Sequence, residues 1–273
     1  MPERSGTSPA PLANLRDLGG IEVAGGRIRP GLVLRADDVA ITTPEQVTEL
    51  VSQGLSTIID LRSADEAART GRGPAAQHPL QYLPLPLSEA MAVPASVQAG
   101  PEAAQADPTG ISPELAARLL ASIRSPEDVG RWYARVFMDR KQALVAGLQA
   151  VAEAPGTVLF HCAAGKDRTG VFAAALLTVL GAGPSAVAGD YARTQERLPA
   201  VYRRLGLQET LAAAEGISPD HPVLAAHPAA MDAMFAALDQ AGGAAEVLRA
   251  GGLEPGLAQR LRQRLVQPVP ARL

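Results

Sequence analysis

The stretch "VLFHCAAGKDRTGVFAAALL", residues 158–177, holds the one cysteine in a chain of 273 residues. "TVLFHC" (157–162) reads as a short buried strand, because its apolar run is too brief for a helix. "TGVFAAALLTVLGAG" (169–183) has the length of a buried helix and is stopped by Gly-Ala-Gly-Pro. The charged residues between them therefore form a loop that feeds a helix N-terminus.

Such a loop suits phosphate. Its backbone N–H groups converge, and the helix dipole adds partial positive charge. Cys162 and Arg168 are separated by five residues, which places a sulfur at the base of the cradle and a guanidinium on its rim. The same field stabilises a thiolate. A planar guanidinium grips two phosphate oxygens, which an ammonium cannot. Ala163, Ala164, Gly165, Lys166, Asp167 and Arg168 are thus the candidate phosphate-binding residues. Thr169 is expected to hydrogen-bond the sulfur, while Gly165 and Gly170 permit tight backbone geometry. A buried structural cysteine would not need this setting. A Walker loop is rejected, since Phe160 stands where its first glycine belongs and Asp167 where Ser or Thr would hold magnesium. One cysteine and four histidines lack zinc-ligand spacing, so no metal site is expected.

Outward from the loop, strand and helix signals alternate. "GRIRPGLVLRAD" (26–37) reads as a strand pair about Pro30-Gly31. "TPEQVTELVSQGL" (43–55) reads as a helix with Thr43 as N-cap and Gly54 as its end. "STIIDLR" (56–62) and "LQYLPLPL" (80–87) read as strands. Residues 126–154 read as two helices meeting near Asp139, and 185–267 as almost entirely helical. Residues 88–112, rich in Ala and Pro, read as a surface loop or insertion. The expectation is one α/β domain over 1–273, with a largely parallel central sheet flanked by helices.

Hydrophobic residues make up 47% and charged residues 19%, as in a globular protein. A net charge of -3 gives no reason to expect a nucleic-acid partner. One cysteine excludes an internal disulfide framework and fits a reducing, cytoplasmic setting. The first residues lack a signal-peptide core and no stretch suggests membrane insertion, although signal-independent export stays open. Oligomeric state is not legible.

His-Cys-x5-Arg-Thr is the pattern of cysteine-dependent phosphatases, and "HCAAGKDRTG" resembles the bacterial tyrosine-phosphatase-like, PtpB-like family. "NLRDLGG" (14–20), "RPGLVLRADD" (29–38), "IIDLRSADE" (58–66), "DYARTQERLP" (190–199) and the closing "AAEVLRAGGLEPGLAQRLRQRLV" resemble that family's blocks, in order. The resemblance implies a phosphomonoester hydrolase in which Cys162 attacks phosphorus, a phosphocysteine forms, and water releases it. It implies that Arg168 and the loop amides stabilise the transferring group and that His161 orients the cysteine. No cofactor is implied. A helical lid within 200–250 is implied too. Lys166 is read as positive charge at the mouth, suited to phosphoinositides as well as phosphoproteins.

One part departs from the family pattern. Its general acid would fall at Leu87; Glu89 is displaced and Asp107 lies in the insertion. Asp167 is therefore the candidate acid and base, with a helix-capping aspartate as the plain alternative. Asp60 and Arg62, at the end of a parallel strand, are supporting candidates: Asp60 could hold Arg168 or Arg62 in place, with a structural role for both as the plain alternative. Asn14, Arg16 and Asp17 read as pins for the N-terminal turn, and Tyr191 and Arg193 as residues of a helix beside the site. The rival to an enzyme is a catalytically silent phosphate-binding or scaffold module; a sulfur-transfer enzyme fits less well with Arg-Thr leading into a Gly-led helix.

Overall fold

The computed structural model describes residues 10–87, 123–206 and 221–268. Its main sheet has five strands in the order β1-β4-β7-β5-β6. These are β1 (Arg16–Asp17), β4 (Val33–Ala36), β7 (Thr157–His161), β5 (Leu55–Asp60) and β6 (Gln81–Pro84). Only β1 is antiparallel to its neighbour, so the sheet is largely parallel as expected. A smaller antiparallel sheet joins β2 (Glu22–Val23), β3 (Gly26–Ile28) and β8 (Val266–Gln267). The anticipated strand pair about Pro30-Gly31 is thus corrected. β3 and β4 both form, but the turn sends them into different sheets, and β8 supplies the partner that β3 needs. β8 also ends the helical run that was expected to reach residue 267.

Helix α1 (Pro44–Ser52) begins where Thr43 Oγ1 accepts from the Gln46 N–H, and crosses from β4 to β5. Helix α2 (Ala64–Thr70) follows β5 directly, opened by a capping box between Ser63 and Glu66. Helices α3 (Pro126–Asp139) and α4 (Lys141–Glu153) meet at Arg140 and lead back to β7. The strands alternate between two cores: Val158 and Phe160 of β7 pack in the larger one, Leu159 in the smaller one against α1. Helix α5 (Asp167–Leu180) is apolar all round and buried almost throughout, as its sequence demands.

Then come α6 (Pro184–Ala192), α7 (Leu198–Arg204), α8 (Ala229–Asp239), α9 (Ala244–Ala250) and α10 (Pro255–Leu265). Within the stretch read as a lid, α8 is a core helix: Met231, Met234 and Leu238 have no exposure. It approaches α3 so closely that a Cβ on Gly130 would fall 2.3 Å from the Ala230 carbonyl oxygen. The proposed insertion at 88–112 lies outside the described residues. Among the described residues no helix is long and apolar enough to cross a membrane.

The order of strands reverses between β5 and β7, the place where open parallel sheets form ligand crevices beyond their carboxyl ends. Ala36, Asp60 and His161 lie in register there. Three loops open from this edge: Asp37-Asp38, Leu61-Arg62 and Cys162–Lys166.

Candidate active site

Cys162 is buried at 1% exposure directly after β7, at the base of the loop that ends in α5. The loop is shaped by what its carbonyls are offered. The Ala163 carbonyl accepts from the Asp38 N–H at 3.0 Å. Asn14 Nδ2 donates to the carbonyls of Ala164 (3.1 Å) and Gly165 (3.0 Å), and Arg35 Nη2 to that of Gly165 (3.0 Å). Since peptide units are planar, carbonyls drawn into the protein turn the N–H groups of the following residues the other way. Gly165 has φ +67, and a Cβ there would lie 2.6 Å from the Ala36 carbonyl oxygen, so this position requires glycine.

The inward pull on these carbonyls has its own support. Asp190 of α6 sits between the guanidinium groups of Arg16 and Arg35, and all three side chains are at most 2% exposed. Arg16 also donates to Asn14 Oδ1 and Thr194 Oγ1, fixing the amide that holds the loop. Burial and the neighbouring Arg35 push the Arg16 pKa down to about 9, against the pull of Asp190. Burial alone would raise Asp190, but the two guanidiniums outweigh it and its pKa is lowered. "NLRDLGG" thus does more than pin a turn, although Asp17 does that, accepting from the Gly19 and Gly31 N–H groups.

Arg168 is held by Glu66 of α2 through two bonds, one of them from Nη2 to Oε1 at 2.8 Å. Burial opposes its charge, but Glu66, Cys162 and Asp167 raise its pKa. Of the two arginines that Asp60 could hold, it binds Arg62. Arg62 Nε lies 2.9 and 3.1 Å from the two Asp60 oxygens, and Nη1 donates to Asp38 at 3.0 Å. Tyr82 also donates to Asp60. This cluster forms the floor beside His161, which lies 3.8 Å from both Asp38 and Asp60. Burial lowers the His161 pKa from its ordinary value, against the pull of those carboxylates. Its Nδ1 lies 3.3 Å from the Cys162 carbonyl oxygen.

Lys166 stands neither at an open mouth nor in bulk solvent. It is 2% exposed. Its ammonium donates to the carbonyls of Val223 and Ala225 and lies 3.2 Å from Asp167 Oδ1. Tyr202 donates to the Leu224 carbonyl at 2.7 Å, so the turn at 222–226 is tied to the loop and to α7. Asp167 opens α5, is a quarter exposed, and accepts from the Tyr133 hydroxyl at 2.5 Å. The buried Thr169 hydroxyl has no hydrogen-bond partner among the described residues, so the anticipated bond to sulfur is not made in this structure. Tyr191 is buried and bonded to Tyr133, while Arg193 is exposed. Leu87, where the resemblance would place an acid, is a buried core residue; Glu89 and Asp107 lie outside the described residues.

Sequence reasoning missed Glu66, Arg35, Asp190 and Tyr133. Only Glu66 had a local signal, the Ser63-x-x-Glu66 capping box.

The family model "Tyrosine phosphatase family" matches residues 9–267. A Cupriavidus necator protein bearing a tyrosine-protein phosphatase name is 29% identical over 91% of this chain and 84% of its own. "Triple specificity protein phosphatase PtpB" of Mycobacterium tuberculosis is 28% identical over 70% of each chain. A "Tyrosine-protein phosphatase" of Nostoc commune is 26% identical over 86% of this chain and 74% of its own. With a buried cysteine between a strand and a helix, and an arginine in that helix's first turn, the chain belongs to the tyrosine phosphatase family and is a hydrolase.

Proposed function

We propose that the protein hydrolyses phosphomonoesters through a phosphocysteine on Cys162. The observation that carries this reading is the loop itself: its carbonyls are held back by Asn14, Arg35 and the Asp38 amide, while Glu66 aims Arg168. The Cys162 thiolate attacks phosphorus, and the bond from phosphorus to the leaving oxygen breaks. Arg168 and the loop amides stabilise the equatorial oxygens as charge redistributes. Asp167 gives its proton to the leaving oxygen. In the second step water attacks the phosphocysteine, Asp167 takes the proton from that water, and the sulfur leaves as thiolate with inorganic phosphate released. His161 packs at the strand end beside the Cys162 carbonyl, and the Thr169 hydroxyl, with no partner among the described residues, is available to the sulfur when it is a leaving group.

Phosphotyrosine is the leading substrate, in line with the names of the relatives. The charge argument for phosphoinositides is weakened, because the Lys166 ammonium is committed to two backbone carbonyls and Asp167. The triple-specificity name of the mycobacterial relative is the reason to test all three classes. Phosphate release from a phosphotyrosine peptide, a phosphoserine peptide and a short-chain phosphoinositide, each with a Cys162→Ser control, tests the reading. The highest kcat/KM on the phosphotyrosine peptide, lost in the control, supports it. Binding of phosphate without turnover on any substrate would favour the silent module.

A further inference from the structure

Asp167 is held from the side away from solvent by two aromatic residues of distant origin. Tyr133 comes from α3 and is wholly buried. Its hydroxyl hydrogen goes to Asp167 Oδ1. The Tyr191 hydroxyl lies 2.8 Å from that of Tyr133. Since the Tyr133 hydrogen is already committed, Tyr191 is the donor of this pair, and the chain runs Tyr191 to Tyr133 to Asp167. Burial and the Asp167 charge push the Tyr133 pKa well above its ordinary value, and burial does the same for Tyr191. Both hydroxyls therefore stay protonated and able to donate.

The two oxygens of Asp167 are unequally served. Oδ1 faces both the Tyr133 hydroxyl and the Lys166 ammonium. Oδ2 accepts no hydrogen bond among the described residues. A carboxylate pinned through one oxygen presents the other in a fixed direction, which a proton transfer needs. Buried tyrosine pairs add packing too: the two rings lie 5.9 Å apart at 76°, edge to face. Packing alone would not require a hydroxyl aimed at a loop carboxylate.

We propose that Tyr133 is a positioning residue for the reaction, orienting Asp167 so that Oδ2 exchanges the proton with the substrate, and that Tyr191 fixes the Tyr133 hydroxyl. This rests on Asp167 being the acid and base. Tyr133→Phe keeps the ring and removes the hydroxyl. Tyr133→Phe/Tyr191→Phe also removes the hydroxyl that the single variant would leave without its partner.

The test measures kcat and KM on aryl phosphates whose phenols span a wide range of acidity, with Asp167→Asn in parallel and thermal melts of every variant. Asp167→Asn is expected to lose about 100-fold or more in kcat/KM on the poorest leaving group and to show a steeper dependence on leaving-group acidity. Tyr133→Phe is expected to lower kcat on that substrate about 10-fold with KM within about twofold, and to steepen the same dependence less. Added to Asp167→Asn, Tyr133→Phe should cost nothing further. A Tyr133→Phe enzyme with undiminished kcat, beside a crippled Asp167→Asn enzyme, overturns the role of Tyr133 alone. An equal loss on all leaving groups that persists in the Asp167→Asn background also overturns it, because the hydroxyl would then be structural. A fully active Asp167→Asn enzyme overturns the acid assignment and the inference with it.

Discussion

Removing the Glu66 carboxylate should damage both stability and catalysis, and two substitutions separate the effects. Glu66 Oε1 accepts from Arg168 Nη2 at 2.8 Å, and Oε2 accepts from Arg168 Nη1 and from the Ser63 N–H at 2.7 Å. The side chains are 14% and 7% exposed, so water screens the pair little. Burial by itself would raise the Glu66 pKa, yet it is lowered, chiefly by its hydrogen bonds with Arg168 and that residue's charge. Truncation to Ala leaves the guanidinium without this carboxylate, and losing one partner of a buried pair costs about 3–5 kcal/mol. Glu66→Gln keeps the shape and one acceptor oxygen, so it forfeits a charge-assisted bond of about 1.5–3 kcal/mol while sparing most of the helix cap. For catalysis, displacing Arg168 by about 1 Å is enough to lose on the order of 100-fold. Glu66→Gln should thus lower kcat/KM about 10- to 100-fold in an enzyme that still folds. Urea titrations and p-nitrophenyl phosphate kinetics read the two quantities. A Glu66→Ala protein within about 1 kcal/mol of the parent, with kcat/KM within about threefold, would refute the claim that this pair holds the arginine.

Asp190→Asn removes the one carboxylate between Arg16 and Arg35 and should cost about 3–5 kcal/mol in a urea titration, with activity falling as the loop carbonyls lose their donors. Gly165→Ala forces φ +67 on a residue with a Cβ that meets the Ala36 carbonyl; it should destabilise by about 1–3 kcal/mol and abolish most turnover, seen by melting and steady-state kinetics. Stability should also fall in acid. Glu66 and Asp190 titrate below their unfolded values of 4.5 and 3.8, so the unfolded chain binds protons first as the pH drops. Their contribution is complete above those values and is lost as pH falls through the depressed folded ones. Asp37, raised by burial, acts in the opposite sense and softens the slope. Urea midpoints that do not fall between about pH 5 and pH 2 would contradict this sign.

The loop was legible in the sequence because one contiguous stretch carries the nucleophile, the arginine and the helix start, and each residue type has a reason to be there. Its supports were not. Arg16 and Asp190 are 174 positions apart, and parallel crossovers bring them together, a matter of topology that no local spacing encodes. Lys166 shows the same limit on a smaller scale. Its charge was plain, but its direction depends on a turn at 222–226 that presents carbonyls to it. The parallel sheet followed from alternating strand and helix signals, whereas the split of residues 26–37 between two sheets depends on β8, more than 200 residues downstream. Helix α2 was passed over because it is short, yet its capping box was in view and its third residue turned out to hold the arginine.

Covalent capture bears most directly on the whole account. Mixing enzyme with an aryl phosphate, quenching in acid within the first turnover and mapping the adduct by peptide mass should find one phosphoryl group on the peptide carrying Cys162. The adduct should be absent from Cys162→Ser, which should also release no phosphate. A Cys162→Ser enzyme that still turns over, or an active enzyme whose phosphoryl group is found on another residue, would contradict it.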